Sequence, residues 1–283
     1  MAAVARADKT LPIAVFDSGV GELTVLQECL VSLPHEDFVY LGDTARFPYG
    51  DRSADELREF ALELAGLLLE QGAKLLVVAC NSATAAALPA LREKLGERVP
   101  VVGVVGPESR LAASATASGQ VGLLATPATV ESGAYARALA EVDRNVELHA
   151  VASPELAPLI QSGAEVDGRV VDCVERACAP LKEAEVDTVI LGCTHYPLVR
   201  PVLQRCLGRG VTIVTSGQAI ADEVGAALDS AGLAADPRRK GDYRFLATGS
   251  VDEFRRQGIR FLQLPIDEVH HVEVAKPRAR SAA

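Results

Sequence analysis

The sequence predicts an α/β fold of two pseudo-symmetric parallel-sheet domains, with the active site in the cleft between them. Three observations predict it. Short apolar runs alternate with helical patterns along most of the 283 residues, as expected for parallel strands covered by helices on both faces. Two cysteines end such runs in matching surroundings. Leu75-Leu76-Val77-Val78-Ala79 leads into Cys80 and Val189-Ile190-Leu191-Gly192 into Cys193, and a polar turn follows each. Finally, three strand tips recur in the same order. Asp17-Ser18 corresponds to about Thr126-Pro127, Asp43-Thr44 to about Ser153-Pro154, and Cys80 to Cys193, at offsets near 109, 110 and 113 residues.

The elements follow in order. Strands are expected at 13–16 (Ile-Ala-Val-Phe), 38–41 (Phe-Val-Tyr-Leu), 75–79, 101–105, 121–125, 146–151, 188–191, 211–214 and 243–247, each a short apolar or β-branched run. Helical patterns fill 21–32, 54–71, 83–95, 131–142, 167–183, 198–207, 218–230 and 251–257. The last begins at Ser250-Val251-Asp252-Glu253, which has the spacing of a capping box. The tail beyond about Val274 is expected to be disordered. The first domain takes residues 1–105 and 217–283, and residues 106–216 form an inserted second domain.

Hydrophobic residues make up 49% of the chain, enough to bury a substantial core. A net charge of −10 argues against a nucleic-acid partner, which needs a basic face. Residues 1–12 lack the apolar region of a signal peptide, and no stretch reaches the roughly 18–20 apolar residues of a membrane span. A cytoplasmic protein without membrane contact is expected. Six cysteines without framework spacing suit a reducing compartment, so the thiols should be free. None of the Cys/His spacing of a zinc site is present, and no metal is expected.

Free cysteine is among the most buried residue types, and Cys29, Cys173, Cys178 and Cys206, all within predicted helices, fit simple packing. Cys80 and Cys193 differ because polar residues follow them at strand tips, where α/β folds place ligands. A helix start beyond each can lower a thiol pKa from about 8.5. Two thiols facing one substrate can take a proton from one face of a carbon and return one to the other. That inverts a stereocentre with no cofactor, and the roles exchange in the reverse direction. The α-proton of an amino acid is weakly acidic, so such a site also needs preorganised donors around the carboxylate.

The chain supplies donor sets. Asp17-Ser18-Gly19-Val20-Gly21-Glu22-Leu23 is a strand-to-helix turn with N–H groups suited to a carboxylate, although it lacks the full dinucleotide fingerprint. Asn81-Ser82, Thr194-His195, and Thr126-Pro127-Ala128-Thr129 provide others, and simple N-capping accounts for the same hydroxyls. Asp17 and His195 could relay protons beside the thiols, and an imidazolium next to Cys193 would lower its pKa. Phe47-Pro48-Tyr49-Gly50 reads as a turn open to close backbone approach.

Taken together, Asp17-Ser18-Gly19-Val20-Gly21, Gly42-Asp43-Thr44-Ala45-Arg46-Phe47-Pro48-Tyr49-Gly50, Ala79-Cys80-Asn81-Ser82-Ala83-Thr84, Ser132-Gly133-Ala134-Tyr135 and Leu191-Gly192-Cys193-Thr194-His195-Tyr196-Pro197-Leu198 are similar to the cofactor-independent glutamate racemases of the aspartate/glutamate racemase superfamily. The resemblance spans nearly the whole chain. It implies that Cys80 acts on the D-isomer and Cys193 on the L-isomer. It also implies that Asp17, Ser18, Tyr49, Gly50, Asn81, Ser82, Thr194 and His195 bind substrate, with Asp43 an assisting carboxylate. Thr84 and Thr126 complete the expected binding set. The implied role is D-glutamate supply for peptidoglycan, with glutamate as the small-molecule partner, no cofactor, and a homodimer left open. Aspartate or hydantoin racemisation is the rival reading. Thr194-His195 favours glutamate over aspartate, and a catalytically silent amino-acid-binding module is a more distant alternative. The chain departs from the family pattern at Glu22, at Gly106 and Glu108, at Thr215-Ser216-Gly217, and at Gln161, where many relatives carry a Glu.

Overall fold

The computed structural model describes residues 8–163 and 167–275. The first half runs β1 (Ile13–Asp17), α1 (Leu23–Ser32), β2 (Phe38–Gly42), α2 (Ala54–Glu70), β3 (Leu75–Val78), α3 (Asn81–Leu95) and β4 (Val101–Gly103). Helix α4 (Val105–Ala115) crosses to β5 (Gln120–Ala125), α5 (Pro127–Glu131), α6 (Ala134–Val142), β6 (Glu147–Ala152), α7 (Leu156–Gln161), α8 (Gly168–Glu183), β7 (Thr188–Gly192), α9 (Arg200–Leu207) and β8 (Thr212–Val214). The chain returns through α10 (Gly217–Ala231) to β9 (Tyr243–Ala247), α11 (Val251–Leu262) and β10 (Val269–His271).

These strands form two parallel sheets. One has the order β10-β9-β2-β1-β3-β4 and the other β6-β5-β7-β8. The block β2-β1-β3-β4 therefore has the same connectivity as the whole second sheet. Register makes the repeat concrete. Phe16 pairs with Leu41 and Val78, while Leu124 pairs with Val151 and Leu191. Cys80 and Cys193 each lie two residues beyond the paired Val78 and Leu191. On this register Asp17 corresponds to Ala125, one position before the Thr126 that the spacing suggests.

Central strands are buried on both faces, as parallel sheets require. In β1, Ile13 and Val15 pack into one apolar cluster while Ala14 and Phe16 pack into another. Among the described residues no helix is long and apolar enough to cross a membrane.

All nine expected strands form, within two residues at either end. The differences lie in short or proline-bearing elements. Helix α4 begins at Val105, where the end of the strand expected over 101–105 was placed. Pro107 sits in its first turn, where a missing N–H costs no intrahelical bond. Helices α5 and α7 span only five and six residues, too short for an apolar period to show. The helix expected from residue 131 starts instead at Ala134, after Gly133 in the left-handed region at φ 64°. Helix α11 runs past its expected end, through Gly258, to Leu262. A Cβ at Gly258 would lie 2.7 Å from Ile266 and 3.0 Å from Leu23, so close packing explains that glycine. Only half of the expected capping box forms, the Glu253 N–H donating to Ser250 Oγ at 3.3 Å. Strand β10 was not expected: its three residues include two exposed histidines. The tail expected to be disordered lies, from residue 276, outside the described residues.

Candidate active site

Strand tips from both sheets meet around one cavity. From the first sheet come Ser18, Phe47 to Asp51, and Cys80 to Ser82. From the second come Thr126, Pro154, Ala157, Pro158, and Cys193 to His195. Both thiols line it, Cys80 being 4% exposed and Cys193 7%, and both are free.

Each thiol owes its place to a strand that stops just before it. Strand β3 ends at Val78, and Cys80, with extended backbone (φ −68°, ψ 124°), is the N-cap residue of α3. Its sulfur lies near the Ala83 N–H and the Ser18 hydroxyl, and both favour thiolate. Burial is the larger effect and, with Asp17 nearby, pushes the Cys80 thiol up to about 12. Cys193 follows β7, and the His195 N–H points at its sulfur. Burial again dominates and holds that thiol well above its ordinary value, with Cys80, Asp17 and Glu22 adding repulsion. The expected depression by helix starts is therefore outweighed by desolvation.

Asp17 lies behind Ser18, fully buried and outside the cavity lining. It accepts from the Glu22 N–H at 3.2 Å and from Ser18 Oγ at 3.3 Å, and burial raises its pKa. Asp43 is also fully buried and outside the lining. It accepts from Thr248 Oγ1 at 2.7 Å, from Arg46 Nε at 2.6 Å and from the Tyr49 hydroxyl. Arg46 also pairs with Glu63 at 2.6 Å, and its guanidinium carbon lies 4.1 Å from the Phe60 ring centroid. The Asp43 carboxylate thus reaches the cavity only through Tyr49.

Gly50 brings the two halves into contact: the Ala128 N–H donates to its carbonyl at 2.9 Å, and a Cβ there would lie 2.9 Å from Thr126 Cβ. Ser82, Thr126 and Thr129 form a closed triangle of hydroxyls with edges of 2.9, 3.0 and 3.0 Å. Thr84 departs from its expected role. Its hydroxyl bonds back to the Val78 carbonyl at 2.7 Å, which satisfies the end of β3 and keeps it out of the cavity.

His195 is 1% exposed, and burial pushes its imidazole down to about 3, so it is neutral at pH 7. The Gln161 carbonyl Oε1, 2.7 Å from Nε2, can only accept, so Nε2 carries the proton. Nδ1 then accepts from Thr194 Oγ1 at 3.1 Å. The imidazolium expected beside Cys193 does not form; the His195 backbone N–H takes that place.

Sequence reasoning missed Ala157 and Pro158, which arrive on the unexpected α7, and could not connect Gln161 with His195 across 34 residues. It also gave no role to Glu22 and Glu108. Glu22 is fully buried with neither carboxyl oxygen bonded, and burial, then Asp17 and Glu108, push its pKa well up. Among the described residues no Lys or Arg lines the cavity. An anionic ligand there must be held by N–H groups and hydroxyls at the strand tips.

The profile of the Asp/Glu/hydantoin racemase family matches residues 24–224. A glutamate racemase of Listeria monocytogenes is 44% identical over 264 residues, covering 93% of this chain and 98% of its own. A solved glutamate racemase isoform from Bacillus anthracis superposes with a TM-score of 0.88 at 40% identity, covering 94% of this chain and 98% of its own. Another, from Francisella tularensis in complex with D-glutamate, gives 0.86 at 30% identity over the same shares.

Proposed function

The chain belongs to the Asp/Glu/hydantoin racemase family and is an amino-acid racemase acting on glutamate, and on that premise we propose that Cys80 and Cys193 are its two acid/base groups. One observation carries the reading: thiols from equivalent strand tips of the two sheets line a single cavity. Cys193 as thiolate takes the α-proton of L-glutamate while Cys80 as thiol delivers one to the opposite face. D-glutamate reverses the roles. Burial alone keeps both sulfurs protonated. The α-ammonium group of the substrate brings a positive charge, which favours thiolate beside it.

Ser18, Tyr49, Gly50, Asn81, Ser82, Thr126, Thr194 and His195 line the cavity and form its binding surface. Asp17 acts from behind Ser18, and Asp43 acts by orienting Tyr49. Residues 1–105 with 217–283 form one domain and 106–216 the other, and substrate enters between them. The cellular role is D-glutamate supply for peptidoglycan in the cytoplasm.

The test is circular dichroism of L-glutamate, D-glutamate and L-aspartate incubated separately with enzyme dialysed against EDTA and given no pyridoxal phosphate. Both glutamate signals should decay to zero at undiminished rate while aspartate persists. Faster decay of aspartate would reassign the substrate, and loss of activity restored by a metal or by pyridoxal phosphate would overturn the two-thiol scheme.

A further inference from the structure

Asn81 follows Cys80 directly and lines the cavity, and its amide is held from behind by groups the two-thiol scheme does not use. Its Nδ2 donates to Glu108 Oε2 at 3.1 Å and to the Tyr135 hydroxyl oxygen at 2.6 Å. Both amide hydrogens are then taken. Its Oδ1, although buried, has no partner. Glu108 is fully buried in the first turn of α4 and also accepts from the Tyr135 and Ser216 hydroxyls. The network joins α3, α4, α6 and the N-cap of α10, so it links both segments that cross between the sheets.

The polarity of this network fixes the amide. Glu108 accepts at both oxygens, from Ser216 at Oε1 and from Tyr135 and Asn81 at Oε2, and Tyr135, having donated its one hydrogen to Glu108, can only accept from Asn81. Turning the amide over would set Oδ1 against two acceptors. Oδ1 is therefore the atom left without a partner, on a residue that lines the cavity. Glutamate carries a single strong donor group near its reacting carbon, the α-ammonium, and every other polar atom of the ionised molecule is an acceptor. A buried carbonyl oxygen without a partner suits that group.

We propose that Glu108 is a positioning residue that orients Asn81 so that its Oδ1 receives the substrate α-ammonium group. The inference rests on the racemase reading, because it takes glutamate as the ligand.

The test compares glutamate with glutarate, the same dicarboxylate without the amino group, in the wild type, Glu108→Leu, Glu108→Gln and Tyr135→Phe. Glu108→Leu frees the amide, and KM for glutamate should rise roughly 10–100-fold, the worth of one charge-assisted hydrogen bond. The inhibition constant of glutarate should stay within about twofold, since it has no ammonium group. Glu108→Gln can still turn a carbonyl oxygen to Asn81 and should restore KM to within about threefold of the wild type. If Glu108→Leu does not fold, Tyr135→Phe gives the same reading through the loss of one acceptor: a smaller rise for glutamate and none for glutarate. Equal weakening of both ligands would reduce Glu108 to a structural support, and an unchanged KM would remove it from the site. Wild-type enzyme without turnover on glutamate would instead overturn the racemase reading itself.

Discussion

Cys80→Ala and Cys193→Ala should each abolish racemisation while leaving the fold and glutamate binding in place. The two sulfurs approach the cavity from different sheets, so neither can take over delivery to the other face. General acid–base groups contribute about 10²–10⁴-fold, and losing one of only two should reach the upper end of that range. Their surroundings make substitution by water unattractive, because both cysteines are buried. The rate is read from the decay of optical activity in either direction. A variant keeping more than about a tenth of wild-type turnover would remove that cysteine from the mechanism, because such a loss is well below the expected range.

Gly21→Ala is the second large effect and acts with no change of chemistry. A Cβ at Gly21 would lie 2.3 Å from Thr194 Oγ1 and 2.7 and 2.8 Å from the His195 ring. Those two residues follow Cys193 immediately, and the His195 N–H points at its sulfur. Gly21 does not occupy the left-handed region, so its backbone accepts alanine and the contact alone accounts for the result. Displacing the second donor set by such a contact should lower kcat/KM by about 10²-fold. Overpacking should also cost about 1–3 kcal/mol of stability. Gly66→Ala in α2, where a Cβ meets nothing within 4 Å, is the matched control and should leave activity unchanged. A Gly21→Ala enzyme within threefold of wild type would show that Thr194 and His195 tolerate displacement.

The sheet framework was legible because parallel strands buried on both faces leave continuous apolar runs. Cys80 and Cys193 were legible because each run stops at a thiol followed by polar residues. The equivalence of the sheets could also be read from strand-tip spacing, to within one residue at Asp17. What could not be read depended on contacts between distant segments. Nothing local to Thr84 distinguishes a ligand-facing hydroxyl from one turned back on Val78, and nothing local to His195 reveals burial deep enough to keep it neutral. The thiol pKa is a further case. A helix start suggests depression, but burial opposes it and wins. Helix α7, which carries Ala157, Pro158 and Gln161, is too short to announce itself by period. Glu108 stood out in sequence only as a departure from the family pattern; Asn81, Tyr135 and Ser216, far apart in the chain, give it a place.

The central claim is that two groups of opposite protonation state act on opposite faces of one carbon. It is tested most directly by running the reaction in D₂O and stopping it at low conversion. Recovered substrate and newly formed product are then separated by enantiomer and the α-position of each is read by proton NMR. With L-glutamate as substrate, the D-glutamate formed should carry deuterium, delivered by Cys80, while the recovered L-glutamate keeps its original hydrogen. The mirror result should follow from D-glutamate, with Cys193 as the donor. Comparable deuterium in substrate and product, or product that retains the substrate's hydrogen, would mean that one group serves both faces and would contradict the two-thiol account.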